Sequence, residues 1–179
     1  MSMRMLLSAK KIYFILKKTY FYKKKHNFMK ETFVITETSR RLLQHLIEPL
    51  TLAQLNKIPD GFNNNIIWNL GHIIVVQQML VYNLSGLPMQ VSADLVSKYK
   101  KGTQPMEPAT EADVTLLKEL LFSSIAQTQR DFDNAVFKIF MEYKVMTRFV
   151  IKNVKDAIAF NYYHEAIHTG VIMSLKKLV

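Results

Sequence analysis

Two of the five histidines in this chain, His164 and His168, stand four residues apart in the run Asn161-Tyr162-Tyr163-His164-Glu165-Ala166-Ile167-His168-Thr169-Gly170. On an α-helix, residues i and i+4 lie one above the other on one face. Both imidazoles can therefore aim at one point, which is what a transition-metal ion asks of two ligands. Ala157, Asn161, Val171 and Leu175 fall on the same stripe, so the two rings are expected to project toward a core. The pattern predicts a metal site inside a helical bundle. His-Glu-x-x-His also spells the zinc-protease signature, in which the glutamate activates water and a third ligand follows downstream. Residues 169–179 contain no His, Asp, Glu or Cys. The third ligand is thus expected from upstream, and the protease reading is set aside.

The upstream candidate is His72, in Trp68-Asn69-Leu70-Gly71-His72. One His facing a His-x-x-x-His pair supplies three nitrogen ligands and leaves a coordination position for water or substrate, the pattern of a catalytic site. Taken alone, His72 reads as a core histidine held by one hydrogen bond; the second motif makes it a ligand candidate. His45 reads as a partly exposed filler. Glu165 lies roughly 100° around the helix from His164. It is either a solvated or ligand-supporting carboxylate or, as the candidate catalytic residue, a general base. Asn161, Tyr162 and Trp68 are each within one turn of a ligand. They are placed to orient imidazoles, to line a cavity, or simply to pack. Gly71 beside His72 is a position where another backbone can come close.

The elements that must carry these residues read as helices. Helix one is expected over about residues 32–48, ended by Pro49. A short helical turn follows near residues 52–58, then Pro59-Asp60-Gly61. Helix two starts from Asn64 or Asn65 as N-cap and runs to about Leu84, apolar on most sides. Residues 89–110 form a long crossover with a short helical turn at 93–99. This connection either covers the metal or only lets helices two and three run parallel. Helix three starts at Thr110 with acids in its first turn and continues to about Phe132. Residues 133–151 suggest a loop with an extended segment or small hairpin. Helix four is capped by Asn153 and holds residues 157–178.

Trp68-Asn69-Leu70-Gly71-His72, followed about ninety residues later by His164-Glu165-Ala166-Ile167-His168-Thr169-Gly170, resembles the DinB-like superfamily over about residues 29–179. The resemblance implies an all-α four-helix bundle with a long crossover between helices two and three. It also implies a divalent metal, zinc or nickel, on His72, His164 and His168. The activity it implies is that of a hydrolase or a low-molecular-weight-thiol S-transferase, acting on a small molecule or thiol, with a homodimer as the expected assembly. The chain departs from many relatives at Val171, where they carry Gln. A non-catalytic metal-binding bundle, serving as a stress-related or dimerisation module, is the rival reading.

Composition bounds the rest. The chain has 179 residues, one domain's worth, with 49% hydrophobic and 21% charged residues. It has no Cys, so disulfides and thiolate metal sites are excluded; a reducing compartment is compatible, and a cytoplasmic location is expected. The net charge of +10 is concentrated: residues 1–28 hold eight Lys or Arg and no acid, leaving sixteen basic against fourteen acidic residues elsewhere. A nearly neutral body does not present the basic face that a nucleic-acid surface needs, so no nucleic-acid partner is expected. In residues 1–28 the longest apolar run is five residues, too short for a membrane span or a signal-peptide core. That segment is expected to be a basic extension, disordered or weakly helical. Its minority reading is a helix lying on an anionic membrane surface.

Overall fold

The structure, a computed structural model, describes residues 28–179. All but the last residue of the basic extension, with the expectations that attach to it, lies outside the described residues. The described chain is mostly helical: α1 (residues 28–47), α2 (Leu52–Asn56), α3 (Ile66–Val81), α4 (Ala93–Tyr99), α5 (Glu111–Asp133) and α6 (Val154–Leu175). The strands β1 (Tyr143–Lys144) and β2 (Val150–Ile151) make a two-stranded antiparallel ribbon in which Tyr143 pairs with Ile151. No helix among the described residues is long and apolar enough to cross a membrane.

Helices α2 to α6 start at side-chain caps. Asn65 caps α3 through the Trp68 amide, and Asn153 caps α6 through the amides of Lys155 and Asp156. Thr51 and Thr110 form reciprocal capping boxes with Gln54 and Asp113 at the starts of α2 and α5. Several boundaries differ from the sequence reading: the short helix near 52–58 stops at Asn56, and helix four ends at Leu175, short of 178. Helix one already runs at residue 28. Helix two ends at Val81 and tightens into a 3-10 turn, Asn83–Ser85, closed by Gly86 in the left-handed region (φ 67°).

Burial follows the sequence pattern. Helix α3 is apolar all round and buries nearly every side chain, because α5, α6 and α4 pack on it from different sides. Helix α1 buries a single stripe, Met29, Phe33, Thr36, Arg40, Leu43 and Ile47. The apolar residues form two clusters. One gathers the first half of α3 with Leu43, Leu121, Ile172 and Leu175; the other gathers the end of α3 with Phe33, Ile125, Ala157 and Ile158. Buried polar side chains accompany the two clusters, among them Arg40, His72, Ser124, Asn161 and Glu165.

Candidate metal centre

His72 projects from the middle of α3 and is 5% exposed. Its ring stacks on Trp68, one turn earlier, with centroids 4.6 Å apart and planes inclined by 15°. Its Nδ1–H donates to the Tyr99 carbonyl at 2.6 Å, at the end of α4 in the crossover. A carbonyl only accepts, so the proton sits on Nδ1 and the Nε2 lone pair is left free. The approach of α4 depends on Gly71: a Cβ there would lie 2.5 Å from the Tyr99 ring. What comes close at Gly71 is therefore a side-chain ring and not the backbone the sequence suggested.

His168 is oriented from α3 as well. Its Nδ1–H donates to Asn69 Oδ1 at 2.8 Å, and the Asn69 amide donates in turn to the Asn65 carbonyl at 2.8 Å. The second bond fixes which end of the amide faces the imidazole, so His168 too keeps its Nε2 lone pair free. His164 has no such partner: its Nδ1 is buried and makes no hydrogen bond. The three rings converge, with centroid separations of 4.6 Å (His164–His168), 4.7 Å (His72–His168) and 5.2 Å (His72–His164). One nitrogen from each lies within 4.8 Å of the others.

The electrostatics keep all three neutral near pH 7. Burial pushes His72 below the ordinary histidine value, partly offset by the Tyr99 carbonyl. Burial, then repulsion from His168 and His72, pushes His164 down to about 3. Burial, then His72, pushes His168 down to about 4. Neutral imidazole is the ligating form. Two nitrogens on one tetrahedral ion with bonds of about 2.1 Å stand roughly 3.4 Å apart, so the cluster needs only a small contraction to fit. The buried, unpartnered His164 Nδ1 is the polar atom that such an ion would satisfy.

The other residues singled out in the sequence fall in different places. His45 is exposed on α1. Glu165 is fully buried, which overturns its reading as a solvated carboxylate; it pairs with Arg40 of α1, and Asn161 donates to it. Asn161 thus serves Glu165 and does not orient an imidazole. Trp68 does contact a ligand candidate, and its Nε1–H donates to Thr103 Oγ1, so the crossover braces His72 twice over. Trp68 and Tyr99 also line a cavity of about 970 Å³ beneath the crossover, which none of the three histidines lines. Sequence reasoning missed Asn69, Tyr99 and Arg40. Asn69 and Arg40 each left a signal, a polar residue on an apolar stripe; Tyr99 acts through its carbonyl, which no residue type announces.

A mostly helical fold that brings three neutral imidazoles from two helices to one point defines a class: helical proteins with a candidate three-histidine metal centre. Within that class the chain belongs to the DinB superfamily, whose family model matches residues 35–172. Among solved structures it is similar in fold to a conserved protein from Enterococcus faecalis, at 13% identity and a TM-score of 0.59, covering 84% of this chain and 95% of that one. A search of curated proteins found no match.

Proposed function

We propose that the four long helices form a bundle around a divalent cation, zinc or nickel, held by His72, His164 and His168, and that the protein is a metal-dependent hydrolase or thiol S-transferase. The observation that carries this reading is the convergence of three imidazole nitrogens within 4.8 Å, with two rings held so that Nε2 is unprotonated. Such a cation, when bound, supplies Lewis acidity that lowers the pKa of a water or thiol reaching its open position. The protein's own part is positional. Tyr99 and Asn69 hold two imidazoles in the ligating tautomer, and Trp68 walls the site on the α3 side. The half-buried state of His164 and His168 leaves the α6 side as the approach for a small molecule or low-molecular-weight thiol.

The rival reading, a metal-binding bundle without turnover, is favoured by one observation: the carboxylate of the His-Glu-x-x-His run is engaged by Arg40 and Asn161. The two readings separate in one experiment. The purified protein is analysed for metal, stripped with chelator and reloaded with zinc or nickel. It is then assayed for thiol transfer and for ester and amide hydrolysis. Turnover that disappears with chelator and returns with metal supports the enzyme. Stoichiometric metal with no chelator-sensitive turnover supports the rival. Absence of metal binding after reloading would sink both.

A further inference from the structure

The ion pair between Arg40 and Glu165 has both side chains at 0% exposure. It is bidentate: Arg40 Nε donates to Glu165 Oε2 at 3.0 Å and Nη2 to Oε1 at 2.6 Å. The other Arg40 nitrogen, Nη1, donates to the Leu121 carbonyl and to Ser124 Oγ of α5, the latter at 2.9 Å. Asn161, one turn before Glu165, donates to Oε1 at 2.6 Å. Three helices thus meet on one guanidinium. A buried pair of this kind is a weak source of stability, since the cost of removing two charges from water offsets most of their attraction, and apolar residues of similar size often serve as well. What a planar fork on a carboxylate does supply is direction: two parallel hydrogen bonds fix the rotation of both partners.

That direction matters because of where Glu165 stands, between the two histidines of α6. At 100° per residue, His164 and His168 both lie roughly 60–100° around the helix axis from it, on the same side. With Glu165 held toward α1 and α5, both imidazoles turn toward His72 and Asn69 on α3. Apolar packing along α6 constrains rotation less sharply, because its buried stripe is narrow and its outward residues Tyr163, Ile167 and Met173 are themselves apolar.

We propose that Arg40 and Glu165 are a positioning pair: their buried bidentate contact sets the rotation of α6 and so aims His164 and His168 at His72. Glu165 acts through the helix it locks and transfers no proton. The inference concerns the arrangement of the rings with or without metal; only its affinity readout rests on the metal reading above.

The test uses the full chain and two variants. Arg40→Met/Glu165→Met replaces the pair with apolar side chains of similar length. Arg40→Lys keeps the charge balance but exchanges the planar fork for a point charge. The metal-free readout is the set of NOEs between the ring protons of His72 and those of His164 and His168. The second readout is zinc affinity, with cobalt absorption reporting coordination geometry. Wild type is expected to show the inter-ring NOEs. Both variants are expected to keep native helical circular dichroism, to weaken or lose those NOEs, and to bind zinc roughly 10–100-fold more weakly, the range seen when outer partners of ligands are removed. Wild type that shows the NOEs but binds no zinc would sink the metal reading and leave this inference to the NOEs. Folded variants with unchanged NOEs would overturn it whatever the metal does. If the double variant does not fold, Arg40→Lys decides by the same readouts. Loss of fold in both would also overturn it, because the pair would then be a requirement of folding with no separate positioning role.

Discussion

The two walls of the histidine cluster are built by different means. On α3, His72 is nearly inaccessible, stacked against Trp68 and tied to the Tyr99 carbonyl, in a helix buried on almost every side. On α6, His164 and His168 are half-buried at the edge of a narrower stripe whose centre is occupied by Asn161, Glu165 and Ile172. One wall is held by dense packing, and a change there disturbs the core itself. The other is held by single hydrogen bonds and a charge pair, so its rings can be altered with less damage to the fold. The contrast separates substitutions that remove a ligand from those that remove the frame around it.

The largest effects sharpen this contrast directly. His72→Ala, His164→Ala and His168→Ala are each expected to reduce zinc binding below detection in isothermal titration, since each removes one of the three proposed ligands. Their metal-free melts should differ. His72→Ala leaves a hole beneath Trp68 and is expected to cost about 2 kcal/mol. His164→Ala deletes a half-buried ring whose Nδ1 makes no hydrogen bond, and should shift the melt little. Equal destabilisation by both variants would erase the distinction between the walls.

Next in size comes Gly71→Ala. The added methyl meets the Tyr99 ring, so α4 must shift, carrying with it the carbonyl that holds His72. Overpacking of this kind costs about 1–3 kcal/mol, while alanine's better helix propensity returns about 1 kcal/mol. A net loss of stability together with weaker zinc binding is expected, read by thermal melts and titration on the same preparations. A variant more stable than wild type with unchanged affinity would show that the crossover is not a brace for the site.

These two walls were unequally legible in the sequence. Caps are short-range chemistry: of the two candidates Asn64 and Asn65 it is Asn65 that caps α3, and the helix starts expected at Thr110 and Asn153 are where the structure has them. The short helix at residues 93–99 was equally visible. That His164 and His168 would aim at one point was readable because i and i+4 share a face whatever the helix packs against; His72 joined them only through its own motif and the family resemblance the two motifs carry. Which face sits at the centre of the core was not readable. The i, i+4 rule fixes relative direction only, and it was Glu165, not either histidine, that took the fully buried position. Its partner lies 125 residues away on α1, where Arg40 interrupts an apolar stripe. A charge on such a stripe announces a buried partner without naming it. The bond from His168 to Asn69 spans 99 residues and was hidden for the same reason.

Asn69 tests how far α3 governs the opposite wall. Asn69→Leu keeps the volume but removes the acceptor that fixes the His168 tautomer. Zinc affinity is expected to fall about tenfold, the lower end of what loss of an outer hydrogen-bond partner produces, with the fold retained because Leu suits a buried position on α3. An unchanged affinity would mean that α6 orients His168 without help.

The last prediction concerns acid stability without metal, and it asks whether the two walls share one electrostatic environment. All three histidines are harder to protonate in the folded protein than in the unfolded chain, whose ordinary value is 6.5. Above 6.5 neither state carries these protons, and their contribution to stability is complete. As pH falls below 6.5 the unfolded chain takes up protons that the native site refuses, so stability declines. The decline continues until the native rings themselves protonate, at about 4 for His168 and about 3 for His164. The Asp113 carboxylate, held below its ordinary 3.8 by its capping bonds to Thr110, adds its own loss only in the lower part of that window. Chelator-treated wild type should therefore melt at a nearly constant temperature from pH 8 to 7 as far as these groups are concerned, and progressively lower between pH 6.5 and 4. His164→Gln should flatten that slope by removing the most depressed group. Because repulsion from His72 is one cause of the shifts in both His164 and His168, His72→Gln should flatten it by more than its own share. Strictly additive slopes in the two single variants and their double would show that the walls titrate independently, and that the three rings do not share the single space a common cation requires.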